Sequence, residues 1–94
     1  MTAATQPFQI VLVKADADME AIPNTWTTAR GDGINAVACV RETTKLVACM
    51  WKRRANDSDL AKARDFAARE GYRVVLVPTN ERNPLRYAKS KAAH

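Results

Sequence analysis

The chain predicts a single small α+β domain, and three observations carry that reading. Phe8–Val13 and Tyr72–Val77 are short apolar runs rich in β-branched residues, the composition of strands buried on both faces. Leu60–Glu70 is a run of strong helix formers set between cap residues and a glycine. Ile34–Arg41 and Leu46–Arg53 are strand-like segments separated by only Glu42-Thr43-Thr44-Lys45, a spacing that suits a hairpin.

Taken in order, Phe8–Val13 is the first strand. Ala15–Ile22 holds enough helix formers for two turns, its acidic residues suit a helix start, and Pro23 ends it. Thr25–Ala29 favours strand by propensity, and Gly31-Asp32-Gly33 reads as a turn. In the hairpin, a three-residue loop at Thr43–Lys45 sets Cys39 opposite Cys49, whereas a two-residue loop moves the register by one and separates them. Asn56-Asp57-Ser58 supplies N-cap residues, and Leu60, Ala63, Phe66 and Ala67 fall on one helical face. Gly71 suits the left-handed helix end. Pro78 stops the last strand, and Asn83-Pro84 then pairs an N-cap with proline at the first helical position, opening a short basic helix over 84–92.

The sequence of elements is β, weak α, β, β, strong α, β and a tail helix. It fits a ferredoxin-like βαββαβ split, with a four-stranded antiparallel sheet in the order 4-1-3-2 and residues 1–7 as a flexible lead. The rival keeps Thr25–Ala29 as a further strand in a β-meander packed on one main helix. The first and last strands are both apolar on alternate faces: Phe8, Ile10, Leu12, Val74 and Leu76 on one, Val11, Val13, Val75 and Val77 on the other. Two crossover helices cover one such face. The second needs the tail helix, a partner or a second copy, and this favours a homodimer through the sheet face or a partner complex.

Ninety-four residues allow one domain, and 47% hydrophobic with 27% charged residues is a globular mix rather than a disordered one. No apolar run approaches the length of a membrane span, and no export signal opens the chain, so the expected compartment is the cytoplasm, with no membrane partner. Two cysteines without a Cys-x-x-Cys, and a single histidine at position 94, build neither a disulfide framework, a cysteine/histidine metal site nor a nucleophilic triad. The expectation is therefore no cofactor, no metal and no enzyme. Arg30-Gly31-Asp32 is a chance tripeptide, and Gly31 with Gly33 is too sparse a loop to cradle phosphates.

The net charge of +5 is uneven: residues 1–44 carry −2 and residues 45–94 carry +7. Such asymmetry points to a polyanionic partner. Lys52, Arg53 and Arg54 end one strand, and Arg82, Arg86, Lys89 and Lys91 follow the last one. These seven are the candidate phosphate contacts, with Tyr87 as a stacking group. Trp51 alternates with Cys49 and Val47 and is expected in the core. The stretch Lys45–Arg53 lacks the glycine and aromatics of an RNA-recognition module. Asp16, Asp18 and Glu20 read as a solvated helix start, because residues two apart do not share a helix face.

The leading reading is a small, non-enzymatic cytosolic module whose basic half contacts nucleic acid or a nucleoprotein complex. The alternative is a protein-directed inhibitor or adaptor that occludes a partner surface. It is of the kind found among phage and mobile-element accessory factors, anti-CRISPR proteins included, on size and lack of motifs alone. The third is a minimal metal-dependent enzyme using Asp16 and Asp18.

Overall fold

The computed structural model describes residues 7–27, 38–42 and 45–92. Four strands, β1 (Phe8–Lys14), β2 (Ala38–Glu42), β3 (Lys45–Ala55) and β4 (Tyr72–Pro78), form one antiparallel sheet in the order β2-β3-β1-β4. Two helices, α1 (Asp57–Glu70) and α2 (Pro84–Ala92), complete it. The α+β class and the strand order are those the sequence predicts. The rest of the 15–33 connection departs from it: Ala15–Ile22 makes only one 3-10 turn, Met19–Ala21, with Asp18 accepting from the Glu20 N–H. Residues 25–27 form no strand, and the remainder of the meander's proposed extra strand, like residues 34–37 of the hairpin's first arm and 1–6 of the lead, lies outside the described residues.

The helices sit on opposite faces. Ile10, Leu12, Cys39, Cys49 and Ala55 pack with Ala63 and Ala67 of α1. Val11, Val13, Val40, Met50, Val75 and Val77 pack with Leu85, Ala88 and Ala92 of α2 and with Ile22 beside the 3-10 turn. The described part of the first connection, through Ala17, Met19, Ile22 and Trp26, thus packs on the α2 side, opposite α1. Of the three covers considered for the second face, the tail helix takes the place. The apolar surface that favoured a homodimer is consequently covered within the chain, and Leu76 is the exposed large hydrophobic among the described residues.

Helix α1 forms where its caps direct. Asn56 accepts from the Asp59 N–H at 2.9 Å, and Asp59 accepts from the Asn56 N–H at 3.0 Å, a reciprocal capping box. Gly71 ends it at φ +80°, where a Cβ is disfavoured. Asn83 caps α2 by accepting from the Arg86 N–H, as the Asn83-Pro84 pair predicts.

Register shifts in β3 decide which way its side chains point. Glu42 pairs with Lys45, leaving two residues to connect β2 and β3, yet Cys39 still faces Cys49. The reason is an extra residue, Val47, between the Leu46 and Ala48 pairs. Val47 and Ala48 consequently share the α2 face. This corrects the expected alternation of Val47 with Trp51: Trp51 does pack in the core, against Phe66 at 5.0 Å between ring centroids, but on the other face from Val47.

Candidate functional site

The strand directions explain how two basic segments far apart in sequence meet. Both β3 and β4 run antiparallel to β1, one on each side of it, so their C-terminal ends finish together at the start of β1. Phe8 pairs with Ala55 on one side and with Pro78 on the other. Two inter-strand spacings, about 10 Å, separate the ends, a gap that arginine side chains from both sides span. Between the pairs Phe8–Ala55 and Ile10–Lys52, two residues, Arg53 and Arg54, oppose the single Gln9. That bulge lets two consecutive arginines line the same pocket, where plain alternation sends them to opposite faces.

The pocket holds about 400 Å³ and is lined by Gln9, Arg53, Arg54, Thr79, Asn80, Glu81, Arg82 and Pro84. Gln9 is buried and donates from Nε2 to the Pro78 carbonyl at 2.8 Å, which fixes the floor. The Arg82 loop is braced from within. Glu81 N–H donates to the Pro78 carbonyl at 3.1 Å, and the Glu81 carboxylate accepts from the Asn83 N–H at 3.1 Å. Arg53, Arg54 and Arg82 are exposed, and among the described residues none of their guanidinium groups makes an ion pair or hydrogen bond. With Glu81 counted, the pocket carries three cations and one anion. Such a fork-rich, net positive concavity accepts phosphate or carboxylate oxygens in bidentate fashion.

The other predicted contacts go elsewhere. Lys52 opposes Ile10 and points to the α1 face, where its Nζ lies 3.5 Å from Asp59 Oδ1. The Asn56 N–H and then Lys52 hold the Asp59 carboxyl below its usual range. Helix α2 carries the remaining cations away from the pocket, and Lys91 stands about 10 Å further along the axis than Pro84. Lys89 donates to the Ile22 carbonyl and to Asn24 Oδ1, pinning α2 to the 3-10 turn. Lys91 lies over the Tyr87 ring at 5.5 Å, and Tyr87 is half-buried against the α2-side core. Arg86 is exposed on α2 and does not line the pocket. Gln9, Thr79, Asn80 and Glu81 belong to the pocket although sequence reasoning passed over them. A lone glutamine inside an apolar strand was the one signal for the first, and the polar run after Pro78 the signal for the rest.

Asp18 serves as the cap of the 3-10 turn, and no group of three His, Cys, Asp or Glu side chains gathers among the described residues. Asp16 and Asp18 line a second cleft of about 600 Å³ whose wall also holds Lys14, Arg41 and Lys45, so their charge is balanced locally. No helix among the described residues is long and apolar enough to cross a membrane. The chain matches no known protein family, no curated protein and no solved structure.

Proposed function

We propose that this protein is a small, non-enzymatic binding module that contacts nucleic acid, alone or within a nucleoprotein complex, through phosphates. The observation that carries the reading is the convergence of Arg53 and Arg54 from β3 with Arg82 from the β4–α2 loop around one pocket, free of ion pairs among the described residues. Three exposed guanidiniums beside the single Glu81 carboxylate leave the pocket net positive, a field that attracts an anion. The contact set is therefore narrower than the seven cations of the basic half: Arg53, Arg54 and Arg82 form its centre, while Lys52 and Lys89 serve the fold.

Fluorescence anisotropy with labelled nucleic acid tests this. The expected affinity is modest, with Kd on the order of micromolar at moderate salt, as befits a few phosphate contacts. The variant R53A/R54A/R82A, which removes all three proposed phosphate contacts, is expected to lose at least about tenfold. The variant K89A is expected to lose stability but little affinity. An unchanged affinity in the triple arginine variant overturns the reading. A stoichiometric protein partner recovered in its place favours the inhibitor alternative.

A further inference from the structure

We infer that the arginine pocket takes the backbone of duplex nucleic acid in preference to a single strand, and without regard to sequence; this rests on the reading above. Aromatic residues decide between duplex and single strand. The chain has six, namely Phe8, Trp26, Trp51, Phe66, Tyr72 and Tyr87, and all six lie among the described residues. None is exposed. Phe8, Trp51, Phe66 and Tyr72 pack on the α1-side core, and Trp26 and Tyr87 on the α2-side core. Phe66 is sandwiched between Trp51 at 5.0 Å and Tyr72 at 5.8 Å, and no aromatic side chain lines the pocket.

Proteins that hold single strands pair a basic groove with aromatic platforms on which successive bases stack. This pocket has the cations and lacks the platform. What it offers is phosphate recognition alone, and a duplex presents that lattice most densely, with one charge per about 1.7 Å of axis. A duplex also arrives ordered, whereas a single strand must lose freedom to set several phosphates against fixed guanidiniums. The pocket presents no helix face or two-stranded ribbon to the major groove: Arg53 and Arg54 sit at a strand end beside a short loop, and α2 lends it only Pro84. Backbone contact of that kind positions a duplex and carries no sequence information.

The experiment is anisotropy on the full chain with three labelled probes: two short DNA duplexes of unrelated sequence and an oligothymidine of the same length, each titrated over a range of salt. The two duplexes are expected to bind equally and about tenfold more tightly than the single strand, whose sparser charge and ordering cost both count against it. The logarithm of affinity against the logarithm of salt is expected to fall with a slope of about −3 for three phosphates, and each single variant, R53A, R54A or R82A, to flatten it by about 1. Oligothymidine bound as tightly as the duplexes overturns the inference and leaves the proposed function standing. A marked preference for one duplex sequence overturns the backbone-only reading. Absence of binding to all three probes, with a wild-type thermal melt, overturns both.

Discussion

Cys39 and Cys49 face each other across β2 and β3, both fully buried and neither joined in a disulfide. Burial, and then the facing thiol, push Cys49 up to about 12 from its ordinary 9.0. A thiol held protonated in this way is a poor nucleophile. In the native protein, alkylation by iodoacetamide at neutral pH is expected to be slow at both positions and to become fast on unfolding, as read by mass spectrometry; rapid native labelling contradicts the packing described. The sign of the pH effect follows. The folded-state value is raised, so the thiol's contribution to stability is complete below pH 9 and is lost as pH climbs from about 9 toward about 12. Tyr72, raised by burial, acts in the same sense once pH climbs past its ordinary 10.0. Denaturant melts at stepped alkaline pH are expected to show that decline, and a Cys49→Ala variant to show less of it. At the same scale, Lys52 and Arg53 separate two roles that adjacency in sequence hides. Lys52→Ala is expected to lower the melting temperature slightly while leaving nucleic-acid affinity nearly intact, because its partner is Asp59. Arg53→Ala is expected to do the reverse. Equal effects of the two on affinity count against a pocket centred on the arginines.

Among the elements, α1 and α2 were the most legible, since their ends are written in side-chain chemistry. Asn56, Asp59, Gly71, Asn83 and Pro84 each perform the capping role their type suggests. Asn56→Ala removes the acceptor for the Asp59 N–H and is expected to cost about 1 kcal/mol, measured by chemical denaturation. Gly71→Ala is expected to cost about 1–2 kcal/mol, because its backbone is left-handed. Its new Cβ meets Lys14 Nζ only at 3.7 Å, an ordinary contact, so the cost there is conformational. The strands were legible as apolar runs, but their register was not. Val47, Trp51 and the Arg53–Arg54 pair mark shifts in β3 that no residue type announces, because a bulge is fixed by how two strands settle their twist and pairing together. The candidate site depended on one of those shifts, and for that reason its membership was only half readable: Arg53, Arg54 and Arg82 were named from charge, but Lys52 and the α2 lysines carried the same signal. The weak helix at Ala15–Ile22 shrank to one turn because Asp16 and Asp18 favour caps and turns, and Pro23 follows closely.

At the scale of the whole molecule, the chain solves the problem posed by a sheet that is apolar on both faces. Strands β1 and β4 direct Val11, Val13, Val75 and Val77 to one side, and a fold built only from its crossovers leaves that side open to a second copy or a partner. Helix α2 closes it from the same chain. Leu85, Ala88 and Ala92 supply the packing, and two polar ties hold the helix down: Lys89 to the Ile22 carbonyl and Asn24, and Arg73 Nη1 to the Ala92 carbonyl at 2.9 Å. The full chain is thereby expected to sediment as a monomer at micromolar concentration, whatever it binds. Loosening α2 is expected to reverse this. A chain ending at Asn83 bares the valines and is expected to self-associate or to bind a hydrophobic dye. Since that truncation removes part of the core, the double variant K89A/R73A provides the gentler comparison. It leaves every apolar residue in place and cuts only the two ties, so it is expected to fold, to melt earlier and to show dye binding that rises with temperature before the main transition. If the double variant melts as the parent does, with no early dye signal, the ties do not hold α2. If the truncated chain stays monomeric, folded and silent to the dye, the bared valines do not drive association, and α2 is not what keeps the chain a monomer.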